Sequence, residues 1–548
     1  MRRGPGIWLL SLLLWASTAA AAAARCPAGD AGAVEPAADR ARQRGEWARA
    51  ADWLACAAVR SGDAALAERA TRGAFELRQV HSAVTSARRW LALAPDSETA
   101  RRHLAIALLR DYDAVAAARE FTPLLAVEDR ARAWNELLGI LAEERNEAGA
   151  AQVAEQLAAA DAGLPEAQLV LSVLWQHADH GRRALAAAER ALALRPDWRA
   201  AQYAVLRALL TLGRRDEALA RSAALAADGD AQARLGHAWI LLGLGRREEA
   251  AALFGELRRE GPLTREALEA LGVIALDDRR HEDASRLFGE LGRAAGSGEN
   301  VPWYLGRLAE QRGDRALAAL HYQQVRTGSR AAAAQLRAWR LWREDGQPER
   351  AELQLDEFLA ATPASTGEIV AGVAGVLADA GQSAEAVALL DRALRQLAGG
   401  DLLFARAIVH EKRGAVRAAV ADLRALLAER PQSPDAWNAL GYTLVDHGLR
   451  LREGHELIER ALALRPDSFA IQDSKGWALV RLGRPAEGLP WLEAAFERSA
   501  DPEVAAHLGE ALWLLGRQSE ARELWERVLG EHPDSAPLRK AIARRAGS

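Results

Sequence analysis

The sequence predicts an all-α solenoid of stacked helical hairpins, and three observations predict it. Half of the 548 residues are hydrophobic while aromatics are only 5%, and long Ala/Leu/Arg/Glu stretches dominate; these are good helix formers, with few β-branched runs to favour strands. A short turn recurs at Gly45, Gln79, Tyr112, Asn146, Asp179, Gly213, Gly245, Arg279, Gly313, Gly346, Gly381, Gly414, Gly448, Gly483 and Gly516. Its fourteen steps span 471 positions, a period of about 34 residues. Proline closes many of these periods, at Pro196, Pro262, Pro363, Pro431, Pro466 and Pro533, where it stops one helix before the next begins.

The chain opens on a segment of a different kind. Met1-Arg2-Arg3 supplies positive charge, Ile7 to Trp15 is apolar apart from Ser11, and small residues run from Ala16 to Ala24. This is the layout of a secretory signal peptide over residues 1–24. A retained membrane anchor is the competing reading, but the apolar core is short for a bilayer. Lipidation of Cys26 fits less well, because Arg25 stands directly before it. A periplasmic location is therefore expected. The only other cysteine is Cys56, and two cysteines in an exported chain make Cys26 and Cys56 a disulfide candidate.

The repeats are expected from 25 to 531, weakly matched before residue 165 and clear over 166–531, with residues 532–548 as a C-terminal capping helix and tail. In the clear part the spacing is that of paired helices. Trp437, Leu440, Gly441 and Leu444 mark a first helix; Ala250 with Phe254, Ala284 with Phe288 and Ala318 with Tyr322 mark second helices. Small residues let two helices approach, and the large ones at i+4 fill the space between them. First helices near Trp239 and Leu451 carry one or two extra residues, and Gly296-Ser297-Gly298 reads as a small hinge loop. This pattern resembles the tetratricopeptide repeat (TPR). The resemblance implies a right-handed superhelix of about 15 helix-turn-helix repeats, with a groove lined by first helices.

Little in the sequence points to chemistry. Net charge is −4, from 71 basic and 75 acidic residues that are interspersed, so no concentrated basic footprint marks a nucleic-acid binder. His177 and His180 stand three apart around Asp179, a spacing that needs a third ligand before it holds a metal; solvated turn residues explain it as well. There is no phosphate-binding loop, nucleophile elbow or dinucleotide motif. The chain is read as having no catalytic residues, no metal, no cofactor and no small-molecule substrate. Counting from the central repeats, the resemblance places Tyr203, Arg207, Trp303, Arg307, Arg337, Arg340 and Arg343 on or near the groove. Arginine beside aromatics is a common composition for protein-binding hot spots; an ordinary solvated helix face is the plainer reading. Trp339 and Trp342 are expected in the inter-helix core.

The C-terminal third is more specific. The run Trp437-Asn438-Ala439-Leu440-Gly441-Tyr442-Thr443-Leu444-Val445-Asp446 is followed by Leu457 to Leu462, by Ile471-Gln472-Asp473-Ser474-Lys475-Gly476-Trp477, and by Pro502 to Glu510. Over about 100 residues it resembles a proteobacterial group of envelope TPR proteins. That group includes the lipoprotein adaptor that activates a periplasmic carboxyl-terminal processing protease and brings cell-wall hydrolases to it. The resemblance implies a protein-interaction scaffold or adaptor of the cell envelope, its partners a periplasmic protease or cell-wall hydrolase. The alternative is a structural component of an envelope secretion or polysaccharide-export assembly.

Overall fold

A computed structural model describes residues 26–546 other than 45, 78, 228–229, 262, 295–299, 362–365, 397–398 and 467. The segment 1–24, Arg25, the turn at Gly45, Pro262, Pro363 and the Gly296-Ser297-Gly298 loop lie outside the described residues. Among the described residues there are 31 α-helices, one 3-10 turn (Thr122–Leu125) and no strand. The helices run from Ala31–Gln43 to Gln518–Glu531 as fifteen consecutive pairs, followed by the single helix Ala536–Ala546. No helix among the described residues is long and apolar enough to cross a membrane.

Each pair is held by a seam that the sequence spacing dictates. Ala250, Phe254, Ala284, Phe288, Ala318 and Tyr322 are all fully buried. The ring of Phe288 lies against Gly272, and that of Tyr322 against Gly306. A Cβ on Gly272 would meet Phe288 at 2.4 Å, and one on Gly306 would meet Tyr322 at 2.7 Å, so the absence of a side chain is what admits the ring. Burying such an aromatic contributes on the order of 1.5–3 kcal/mol. The early pairs, poorly marked in the sequence, bury alanines such as Ala67, Ala87, Ala105 and Ala117 completely. One of them is shortened: its second helix, Ala114–Phe121, gives way to the 3-10 turn that contains Pro123.

In twelve of the turns between paired helices one position takes left-handed backbone. Glycine fills it at nine of the turns named above, Gly213 to Gly516, with φ between 63° and 82°. Tyr112, Asp179 and Arg279 occupy the same position at φ 61°, 59° and 57°, a conformation that costs an L-residue about 1–2 kcal/mol. Two turn assignments are corrected. Gln79 (φ −86°) and Asn146 (φ −84°) cap the second helices instead, and the Asn146 side chain accepts from the Gly149 amide at 3.1 Å. The extra residues assigned to the helices near Trp239 and Leu451 are also corrected. Ala231–Gly243 has an ordinary 13 residues, and the surplus before Leu451 lies in the turn Gly448 to Arg450.

The described chain forms two compact units. One contains the chain up to Asp96, Asp111–Asp113 and the chain from Leu377 onward; the other contains Ser97–Arg110 and Ala114–Val376. In the second unit one core cluster joins Leu235, Ala238 and Leu241 to Phe254, Leu257, Ala267 and Ile274 of the two following helices. In the first unit a longer cluster runs from Val445 through Ile458, Trp477, Leu492 and Leu508 to Trp525 and Leu538. Consecutive helices thus share interior, and Leu538 seals the last pair with the terminal helix. At the other end of the sequence a disulfide joins Cys26 to Cys56, with Cα atoms 5.9 Å apart. Arg60 donates to the carbonyls of Pro27 (2.7 Å) and Gly29 (2.6 Å) and pins the same segment to the helix Trp47–Arg60.

Candidate protein-interaction surface

In the second unit the first helices of successive pairs leave one face uncovered. Tyr203 and Arg207, one turn apart on Arg199–Thr211, and Trp239 on Ala231–Gly243 belong to it. The Tyr203 ring lies over Gly236, 3.2 Å from where a Cβ would stand. Its hydroxyl is buried and has no hydrogen-bond partner; burial, then the charge of Asp230, holds its pKa above the ordinary value. Arg207 is exposed, and no carboxylate among the described residues pairs with it. Trp239 is 42% exposed, the one exposed tryptophan among the described residues, and its ring stands edge-on to Phe254 at 5.2 Å.

The other residues expected at the groove are largely engaged within the chain. Trp303 is half-buried, its ring 5.3 Å from that of Tyr322. Arg307 pairs with Asp277 at 3.1 Å. Glu310 gathers three groups: the Tyr322 hydroxyl donates to it at 2.6 Å, Arg337 Nε at 2.5 Å, and Arg340 lies 3.8 Å away. Arg340 also reaches Glu344 at 3.4 Å. Burial and the Glu310 hydrogen bond push the Tyr322 pKa far up. Arg343 pairs with Glu352 at 3.4 Å and lies over the Trp339 ring, 4.9 Å from its centroid. Trp339 and Trp342 are fully buried. The structure therefore brings Arg337 and Arg340 together around Glu310 and keeps Tyr203 and Arg207 apart from that cluster. His180, for its part, packs edge-on to the Trp175 ring at 5.0 Å.

The first unit holds a polar network that the apolar-seam reading missed. His507 and Asp473 are each about 8% exposed at the side chain, and His507 Nδ1 lies 3.0 Å from both Asp473 oxygens. The His507 ring stacks on Trp477 with centroids 4.3 Å apart. Trp477 Nε1 donates to Asp446 at 3.2 Å, and the Tyr442 hydroxyl donates to Glu503 at 2.5 Å. Burial alone would lower the His507 pKa, but Asp473, by charge and hydrogen bond, with Glu503 and Asp446 raises it. Glu510, also buried, accepts from Arg544 and Arg545 of the terminal helix at 3.0 Å each. A readable signal existed: Asp473 and His507, Glu510 and Arg544, and Arg110 and Glu144 are each 34 residues apart. Opposite charges one period apart occupy the same place in adjacent repeats.

A tetratricopeptide-repeat family model matches residues 235–299, 404–469, 444–502 and 474–536. A TPR repeat-containing protein of Pseudomonas aeruginosa is 38% identical over 207 residues, which is 38% of this chain and 35% of that relative. The matched part thus spans about a third of the relative's length. Among solved structures, a thermophilic TPR protein of Thermus thermophilus is 21% identical (TM-score 0.30, covering 32% of this chain and 97% of that one). The APC/C hetero-tetramer Cut9–Hcn1 is 14% identical (TM-score 0.32, covering 77% and 98%). Residues 235–299 and 404–536 are thus tetratricopeptide repeats, and the paired helices continue on the same plan through the rest of the described chain.

Proposed function

We propose that this chain is a scaffold or adaptor of the bacterial cell envelope that holds partner proteins on the uncovered face of its first helices. Tetratricopeptide repeats indicate a protein-interaction scaffold. The observation that carries the reading is the contrast between two kinds of side chain. The seam residues are fully buried, whereas Arg207 and Trp239 stand exposed at successive repeats, Arg207 with no carboxylate beside it among the described residues and Trp239 touching Phe254 by its edge alone. A preformed row of this kind binds an extended segment or a helix at little ordering cost to itself. The envelope assignment rests on the charged, apolar and small-residue layout of residues 1–24 and on the Cys26–Cys56 bridge. The processing-protease or cell-wall-hydrolase partner rests on the likeness of residues 437–510 to the envelope group. We read the chain as acting by binding, without catalysis of its own.

Affinity capture of the tagged, full-length chain from a cross-linked envelope fraction tests the proposal. Enrichment of a processing protease or a cell-wall hydrolase supports it. Enrichment of export-machinery subunits instead favours a spacer role in a secretion or polysaccharide-export assembly. Recovery of the bait alone, across both soluble and membrane envelope fractions, overturns the scaffold reading.

A further inference from the structure

We infer that a cavity walled by three consecutive helices of the second unit binds an alkylammonium group, held between the Asp216 carboxylate and the His237 imidazole. The cavity encloses about 360 Å³, at the small end of the range for ligand sites, about 300–1,000 Å³. Leu219, Ala220 and Ala223 of Arg215–Ala227 and Leu241 of Ala231–Gly243 form its apolar wall. Asp216, His237, Arg246 and Glu249 supply the polar groups. His237 stands two residues before Trp239, about 200° round the same helix, so this cavity is separate from the face that carries Trp239. The inference therefore goes beyond the scaffold reading and does not rest on it.

The hydrogen bonds around His237 decide what its ring offers. Ser222 Oγ donates to the Leu219 carbonyl at 2.9 Å and lies 2.8 Å from His237 Nδ1. A hydroxyl has one proton; with that proton on the carbonyl, it is Nδ1–H that donates to Ser222 Oγ. Burial, then the Arg246 charge, lowers the His237 pKa and keeps the ring neutral at pH 7. Nε2 is then a lone-pair acceptor, open to solvent and without a partner among the described residues. A ligand for this ring must bring a hydrogen-bond donor. Charge gives that donor its sign. Arg246 is already engaged by Glu249, with bonds of 2.6 and 2.7 Å. Beyond the lining, Arg214 and Arg221 pair with Glu217, and Arg247 with Asp278. Arg215 is exposed and leaves the helix about 100° round from Asp216. The lining itself sets two carboxylates, Asp216 and Glu249, against one guanidinium, so it repels a carboxylate ligand and attracts an ammonium. An ammonium carries three donors, enough for Asp216 and Nε2 together, while its methylene chain covers the leucines and alanines.

The test uses the full chain with nitrogen-15 in its histidine rings, and calorimetry for affinities. At pH 7 the His237 ring, assigned by its loss in His237→Phe, is expected in the Nδ1–H form. Hexylamine should bind saturably and shift Nε2. Hexanol, of equal length without the charge, and hexanoate, of opposite charge, should bind at least about tenfold more weakly. Asp216→Asn and His237→Phe should each weaken hexylamine about tenfold. Asp216 is exposed, and unchanged helical circular dichroism checks the fold of both variants. A tripeptide with a central lysine and blocked ends distinguishes the source of the group. Binding as tight as hexylamine or tighter assigns the site to a lysine side chain of a partner, and weaker binding assigns it to a free amine. An Nε2–H ring, equal binding of hexanol or hexanoate, no binding of either amine, or no loss in Asp216→Asn overturns the inference.

Discussion

Replacing His507 by alanine removes the cation from a carboxylate that has nowhere to go. Asp473 sits about 8% exposed, with both oxygens 3.0 Å from His507 Nδ1 and the indole of Trp477 stacked on the other side of the imidazole. Breaking a buried pair by deleting one partner costs about 3–5 kcal/mol, and losing the stacked ring adds about 0.5–1.5 kcal/mol. Replacing both residues by leucine avoids the orphaned charge and should recover most of that loss. Repeat arrays do not unfold as one unit, so the assay is hydrogen exchange over Phe469–Arg481 and Pro502–Leu514. The pH dependence has a definite sign. The folded His507 pKa is raised, so the pair's contribution is fully present below about 6.5, the unfolded value. It is lost as pH rises through the folded value. His507→Ala should flatten that dependence. A loss under about 1 kcal/mol, or a double leucine variant no better than the single alanine, refutes this reasoning.

Other perturbations test the fold at separate points. Arg279 holds a left-handed turn at φ 57° and is exposed, so Arg279→Gly should raise stability by about 0.5–1 kcal/mol, read as a higher melting temperature; a lower one contradicts the turn assignment. An added Cβ at Gly441 would meet the Gly454 carbonyl oxygen at 2.7 Å. Gly441→Ala should therefore cost about 1–3 kcal/mol in chemical denaturation, and a neutral result denies the close approach. Burial, helped by Asp113, raises the Asp111 pKa to about 6. The folded chain keeps a proton there that the unfolded chain releases near pH 4, so stability falls as pH rises between those values. Asp111→Asn should remove that slope and stabilise the chain at pH 7 by about 2–3 kcal/mol, as a denaturation series across pH checks. Reducing Cys26–Cys56, 30 residues apart in sequence, should cost the first helical pair about 3–4 kcal/mol. Hydrogen exchange over Ala31–Gln43 and Trp47–Arg60 reads it, and unchanged protection refutes it.

Much of this architecture can be read in the chain before any coordinates, because the repeat is a matter of spacing. Ala250 and Phe254, Ala284 and Phe288, and Ala318 and Tyr322 sit four apart, and four apart on a helix is one face. Trp339 and Trp342, three apart, likewise share one buried face. Two turns were harder to read: at Gln79 and Asn146 the polar residue caps the second helix, and no glycine marks the break before it. The surface was hardest. Arg337 and Arg340 look identical to Arg207 in sequence, and only the fold shows that Glu310, some 27 residues before Arg337, engages the first two while Arg207 stays unpaired. Long charged side chains choose among neighbours supplied by adjacent repeats, so their pairing follows from the stack and not from local pattern. The buried Asp473–His507 pair escaped for a related reason, since charged residues at seam positions read as surface until the partner one period away is considered.

The scaffold function requires that a partner protein touch the first helices. A photo-crosslinking residue placed at position 207 or 239, on the uncovered first-helix face, should capture a partner protein in envelope extracts, while the same residue at Arg221 or Glu256, exposed on the second helices, should capture none. Equal capture from both sides, or capture from the second helices alone, contradicts it.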